Sequence, residues 1–162
     1  MIKRFLLIIF LISLCAGCDQ KTKILAKEHL YPGQSISYFG DIFRLTLVEN
    51  HGAFLELGSN LSDSTRFTIF TVLIAVGLVL ALIWMAWAKK LSPITLSATV
   101  LLVSGGLGNL IDRITNNGGV IDFMNLGIGP LRTGIFNVAD VYITIGFFIL
   151  FIRTTRTKSN LQ

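Results

Sequence analysis

Four apolar runs, punctuated by short basic clusters, set the pattern of this chain. The first, residues 5–18, follows Lys3 and Arg4. The second, 67–88, closes on Trp84 and Trp87 and is followed at once by Lys89 and Lys90. The third begins at Pro93 and continues to about Ile111, and the fourth, 138–152, stops at Arg153. A helix that crosses a bilayer needs roughly twenty apolar residues, and the second run meets that length. Its tryptophans sit where interfacial aromatics do, and the proline of the third run falls in a first helical turn, where a missing N–H costs nothing. The first run is short by this measure, so it also reads as a secretory signal peptide. Cys15-Ala16-Gly17-Cys18 at its end resembles a bacterial lipobox, although leucine is usual where this chain has Cys15.

The stretches between the runs have a different period. Residues 36–38 and 42–48 alternate apolar and polar side chains around a break at Gly40 and Asp41, with a third short segment at 53–57. That alternation, rich in β-branched and aromatic residues, predicts a small sheet. A second stretch, 112–137, contains Asn116-Asn117-Gly118-Gly119, a strong turn signal. No internal repeat, low-complexity segment or linker divides the chain, so a single domain is expected.

Composition agrees with a membrane protein. Charged residues are 14 % and hydrophobic residues 52 % of the 162 positions, where soluble domains carry about a quarter charged residues. The net charge of +5 is no sign of nucleic-acid binding, because the basic residues cluster at the ends of the apolar runs. Placing Lys3 and Arg4 in the cytoplasm puts Lys89, Lys90, Arg153, Arg156 and Lys158 there too, as the positive-inside rule requires. All nine acidic residues then fall on the outer side or at its membrane edge. The two cysteines lie in an apolar stretch rather than at a thiolate-stabilising helix N-terminus, and two buried thiols are expected.

Polar residues at membrane depth are costly and are usually paired or functional. Asp19 and Lys23 are spaced to share a helix face and pair. Asn50-His51-Gly52-Ala53-Phe54 follows a strand and reads, taken alone, as a turn. Ser104 and Gly108 have small-residue spacing that lets helices approach, and Asn109 and Arg113 fall on one face of the helix end. His51 has no second histidine or cysteine near it, and His29 is distant, so no metal site is expected. Asp112 has Arg113 and the helix end as compensation. Asp122 and Asp140 are harder to explain structurally, since one sits between Ile121 and Phe123 and the other beside Val138, Ala139 and Val141. Burial raises a carboxyl pKa, and a second carboxyl raises it further. Such a pair can share one proton and supply both base and acid. On the residues alone, peptide cleavage and an ion or proton path in a transporter remain equally open.

Several motifs occur together and in order: Asp19-Gln20-Lys21-Thr22-Lys23, Asn50 to Phe54, Gly108-Asn109-Leu110-Ile111-Asp112-Arg113, Val120-Ile121-Asp122-Phe123, and Phe136-Asn137-Val138-Ala139-Asp140. In this combination the chain resembles the lipoprotein signal peptidase (signal peptidase II) family over nearly its whole length. The resemblance implies a membrane all-α bundle of four transmembrane helices, about 3–26, 67–88, 93–111 and 138–153, with a small periplasmic β-sheet region. Residues 27–66 and 112–137 would be periplasmic and both termini cytoplasmic, in the bacterial inner membrane. The first helix would then continue through Asp19 and Lys23, with Lys3 and Arg4 snorkelling. The resemblance also implies an aspartic endopeptidase that cleaves diacylglyceryl-modified prolipoproteins on the N-terminal side of the modified cysteine. Asp122 and Asp140 become the catalytic pair. Asp19, Lys23, Asn50, Gly52, Gly108, Asn109, Asp112, Arg113, Phe136, Asn137 and Ala139 become residues that bind substrate or shape the site. No cofactor is implied. The expected partners are prolipoprotein substrates and membrane lipids, with the chain acting as a monomer.

Overall fold

The computed structural model describes residues 2–52, 60–88 and 91–159. The expected segment at 53–57 lies outside these residues, as do Ala53 and Phe54 of the motif after β2 and the Lys89–Lys90 pair. The first helix, α1 (Ile2–His29), is continuous over 28 residues. At about 1.5 Å per residue it is about 42 Å long, so the short apolar run is only its first half. Its buried residues, Ile8, Ile12, Ala16, Asp19, Lys23 and Ala26, recur every three or four positions and form one stripe. Cys15 and Cys18 fall off that stripe. Both are free, Cys15 half-buried and Cys18 exposed, so the expectation of two buried thiols fails on helical phase.

The second membrane-length helix starts earlier than its apolar run. Ser62 caps it by accepting from the Thr65 N–H at 3.3 Å, and α2 (Asp63–Phe67) passes through a π-helical stretch, Thr68–Leu73, into α3 (Ile74–Trp87). Ser92 caps α4 (Pro93–Thr115) in the same way, with Pro93 in its first turn. This helix runs past Ile111, because Asp112 and Arg113 are buried against neighbours rather than solvated. The last helix is α5 (Val138–Ser159). Among the described residues, Ser64–Trp87, Pro93–Thr115 and Val138–Arg156 are long and apolar enough to cross a membrane.

Helix α4 is the centre of the bundle, touching α1, α3 and α5. Ile8 and Ile12 of α1, Met85 of α3, and Val100 and Val103 of α4 form its apolar core. Where α4 meets α5, a Cβ on Gly105 would lie 2.3 Å from the Ala139 carbonyl oxygen, and one on Gly146 2.6 Å from the Ala98 carbonyl oxygen. The outer faces carry Phe10, Leu14, Val76, Leu80, Phe147 and Phe151 in exposed positions, as helices surrounded by lipid would. Arg4 donates to the carbonyls of Ala88 and Met85 at 2.8 and 3.2 Å, satisfying C-terminal acceptors of α3. The start of α1 therefore lies beside the end of α3.

The opposite end of the bundle carries a four-stranded antiparallel sheet in the order β1 (Ser35–Tyr38), β2 (Phe43–Asn50), β3 (Val120–Ile128), β4 (Leu131–Arg132). Phe123 of β3 packs with Ala26 and Leu30, anchoring the sheet to the end of α1. Val48 stands opposite Asp122, and Asn50 opposite Val120. Strand β3 is buried across Val120, Ile121, Asp122 and Phe123. Its sequence therefore lacks the half-exposed alternation that marked β1 and β2, and the stretch after the glycine turn showed only its turn.

Candidate active site

Asp140 enters the site on the first turn of α5, and its placement follows from capping chemistry. Asn137 is the residue before the helix; its Oδ1 accepts from the Asp140 N–H at 3.0 Å, and Asp140 Oδ2 accepts from the Asn137 N–H at 3.1 Å. This reciprocal pair is a capping box, here with asparagine and aspartate in place of the usual serine and glutamate. Asp19 satisfies another unpaired donor of the same helix end, with its Oδ1 2.8 Å from the Ala139 N–H. The first helix and the last are thus joined next to Asp140.

Asp122 arrives from β3. The Asn137 side chain donates to Asp122 Oδ1 at 2.7 Å, and Asn50 donates to Asp122 Oδ2 at 3.0 Å. Asn109 donates to Asp140 Oδ1 at 2.9 Å. Both carboxylates are therefore held by side-chain amides, and Asn137 contacts both. Burial pushes Asp122 up to about 7, and the charge of Asp140 pushes it the same way. The hydrogen bonds from Asn50 and Asn137 and the charge of Lys23 act in the opposite direction and offset only part of this. A carboxyl titrating near neutrality beside a second carboxylate is what acid–base catalysis at neutral pH needs.

Behind the pair lies a cluster of buried charges. Lys23 Nζ is 2.8 Å from Asp19 Oδ2, 3.0 Å from Asp112 Oδ2 and 3.0 Å from Asn109 Oδ1. Asp112 also accepts from the Ile121 N–H at 2.9 Å and from Gln20 at 2.8 Å. Both of its oxygens are thus paired within the fold. The direct ion pair of Asp112 is with Lys23, far away in sequence, while Arg113 acts on it through its charge alone. Arg113 points elsewhere: it donates to the Gly52 carbonyl at 3.2 Å and to the Asn109 carbonyl at 3.4 Å, with its guanidinium 5.9 Å from the Phe70 ring centre. Gly52 in turn donates its N–H to Asn50 Oδ1 at 2.9 Å, so Arg113 braces the turn that aims Asn50 at Asp122.

The remaining residues named from sequence shape the surroundings. A Cβ on Gly108 would lie 2.5 Å from Asp19 Oδ2, so only glycine lets that carboxylate through. The Phe136 carbonyl accepts from the Phe123 and Met124 N–H groups at 3.1 and 2.8 Å, tying the start of α5 to β3. Gln20 was not singled out from sequence. It bridges Asp112 and, at 3.1 Å, the Gly108 carbonyl, and its only signal was its place inside the motif that contains Asp19 and Lys23. Among the described residues no group of three or more His, Cys, Asp or Glu side chains could hold a metal ion.

Asp122 and Asp140 both line a cavity of about 620 Å³. Its other walls are largely apolar, including Ile74, Leu102, Val141 and Ile143 from the helices and Phe136 beside the sheet. Two carboxyl groups thus face a largely apolar cavity.

Comparison with known proteins supplies the context for this site. The family described as "Signal peptidase (SPase) II" matches residues 11–156. The lipoprotein signal peptidase of Borrelia duttonii is 34 % identical over 152 residues, covering 91 % of this chain and 88 % of its own. That of Mycobacterium leprae is 32 % identical over 160 residues, covering 91 % and 71 %. Among solved structures, a bacterial membrane enzyme determined by the in meso method at 2.3 Å superposes with a TM-score of 0.83. It shares 27 % identity, and the match covers 96 % of this chain and 91 % of that one.

Proposed function

The chain belongs to the signal peptidase II family and removes signal peptides from prolipoproteins; on that basis we propose that Asp122 and Asp140 are the catalytic pair of this peptidase. The observation that carries the assignment is the bridging of both carboxylates by Asn137 at the wall of one largely apolar cavity. The transport reading left open by the residues alone finds no support in the family.

The geometry supports the following reaction. Asp122, held near neutrality by burial, carries the shared proton, and Asp140 acts as the base. A water between them gives a proton to Asp140, and its oxygen attacks the carbonyl carbon of the residue before the diacylglyceryl cysteine. Asp122 gives its proton to the developing oxyanion. Collapse of the tetrahedral intermediate breaks the C–N bond, the amine leaves with the proton held by Asp140, and Asp122 recovers its own. Asn109, Asn137 and Asn50 hold the carboxylates in place through the cycle, which is the positioning that turns proximity into rate.

The acyl chains of the substrate lie along the apolar cavity wall, and the scissile bond faces the sheet end. In this reading α1 is a fourth crossing, since its length exceeds a hydrocarbon core of about 30 Å. Both termini face the cytoplasm of a bacterium, the sheet lies on the outer side of the inner membrane, and the chain works as a monomer among lipids. Contact between Arg4 and the end of α3 supports this arrangement.

The test is a cleavage assay on a matched pair of substrates, one precursor with its cysteine diacylglyceryl-modified and one without. Product sequencing is expected to place the cut immediately before the modified cysteine, with no cut in the unmodified precursor. Equal cleavage of both would contradict the lipid-dependent reading.

A further inference from the structure

Lys23 takes no part in the steps above, yet it is buried in the membrane-edge core, 2 % exposed. We propose that Lys23 is a positioning residue for the cleavage reaction: its third hydrogen fixes the Asn109 side-chain amide so that Nδ2 donates to Asp140. The inference rests on the reading of Asp122 and Asp140 as the catalytic pair.

The case begins from what an asparagine side chain leaves undetermined. Its oxygen and nitrogen are nearly the same size, so the surroundings choose which end faces which partner. The flipped orientation would turn the Asn109 oxygen toward Asp140 Oδ1 and set two acceptors against each other. Two donors oppose this by pointing at Asn109 Oδ1. One is Asn137 Nδ2 at 3.0 Å. That nitrogen has two hydrogens and faces three acceptors, with Asp122 Oδ1 nearer at 2.7 Å and the Ile121 carbonyl at 3.2 Å. Its hold on Asn109 is therefore shared. The Lys23 ammonium has three hydrogens and three partners, Asp19, Asp112 and Asn109, so one hydrogen is committed to the Asn109 oxygen.

A plain structural role would need only the two carboxylates. Pinning α1 to α4 is accomplished by the Asp19–Lys23–Asp112 bridge, and a buried ion cluster is often replaceable by apolar packing without loss of stability. The contact with Asn109 also joins α1 to α4, but unlike the carboxylate bridge it ends on the side chain that donates to Asp140. The charged groups that face this region are Asp19 from α1, Asp112 and Arg113 from α4, Asp122 from β3 and Asp140 from α5. The Lys23 charge acts on Asp122 as well, pulling it downward.

Two variants of the full chain, assayed on the diacylglyceryl precursor, separate the roles. Lys23→Met with Asp19→Asn leaves one carboxylate where the wild type has one cation and two carboxylates, so the formal charge of the cluster is kept. The asparagine can still accept from the Ala139 N–H. This double variant is expected to fold, to lose between about tenfold and a hundredfold in kcat, the scale of small misplacements of reacting groups, and to keep KM within about twofold. Lys23→Met alone is expected to move the alkaline limb of kcat to higher pH, because a cation that favours ionised Asp122 has gone. Wild-type kcat in the folded double variant would overturn the proposal, and so would an unmoved alkaline limb in the single one. Failure of the charge-balanced double variant to fold would also overturn it, since the cluster would then be a pin between helices. Failure of the catalytic-pair reading shows separately, as cleavage by Asp122→Asn or Asp140→Asn.

Discussion

Asn137 holds Asp122 by its side chain, with Nδ2 2.7 Å from Asp122 Oδ1, while its backbone N–H reaches Asp140 Oδ2 at 3.1 Å. One residue thereby fixes the spacing of two carboxylates that come from a strand and from a helix. Asn137→Ala is expected to lower kcat by about a hundredfold or more. It also leaves α5 without its cap, which costs about 1 kcal/mol and lowers Tm modestly. Cleavage kinetics and thermal unfolding in detergent check both halves.

The raised pKa of Asp122 has a consequence for stability with a definite sign. Between its ordinary value of 3.8 and about 7, the folded state binds a proton that the unfolded state has released. Stability therefore falls as pH rises through that window and levels off above it. Asp122→Asn removes this loss. The variant is expected to be more stable than the wild type at pH 7 and about equal to it at pH 4, as read by thermal unfolding at the two pH values. If Asp122 is the proton donor proposed above, the wild-type enzyme should lose kcat/KM on the alkaline side of pH 7, where that carboxyl ionises.

Two glycines on membrane helices make a paired test of packing. Gly105→Ala would place a methyl 2.3 Å from a backbone oxygen of α5, next to Asp140, whereas Gly77→Ala meets nothing within 4 Å. The first is expected to destabilise by about 1–3 kcal/mol, as overpacking does, and to lose activity. The second should be neutral or should gain up to about 1 kcal/mol from helix propensity. Thermal unfolding of both variants measures the contrast.

Orientation is open to labelling. With Cys15 and Cys18 replaced by alanine, Tyr31→Cys lies beyond the end of α1 and Trp87→Cys at the end of α3, both well exposed. A membrane-impermeant maleimide, applied to cells with a permeabilised outer membrane, is expected to label position 31 and to reach position 87 only after lysis. The reverse pattern would invert the topology.

Much of this architecture could be read along the chain, because apolar runs and basic clusters are local signals. The Asp19–Lys23 spacing was local as well. The sequence could not disclose contacts that depend on the tertiary fold. Lys23 meets Asp112 only because α1 crosses α4, so Asp112 was assigned to Arg113 as its neighbour. Strand β3 was hidden because burial on both faces erases the period of two. The cysteines were misjudged because apolar neighbours in sequence do not determine which side of a helix faces the bundle. Asp122 and Asp140 stood out in sequence as acids without local partners, but their shared asparagine emerged only when β3 came alongside the start of α5.

The most direct measurement is cleavage of a diacylglyceryl prolipoprotein by purified wild type, Asp122→Asn and Asp140→Asn, each confirmed as folded by thermal unfolding. The expected result is turnover by the wild type and a loss of at least about a thousandfold in kcat for each variant, since each removes a proton-transfer group. Near-wild-type cleavage by either folded variant would contradict the assignment of Asp122 and Asp140 as the catalytic pair.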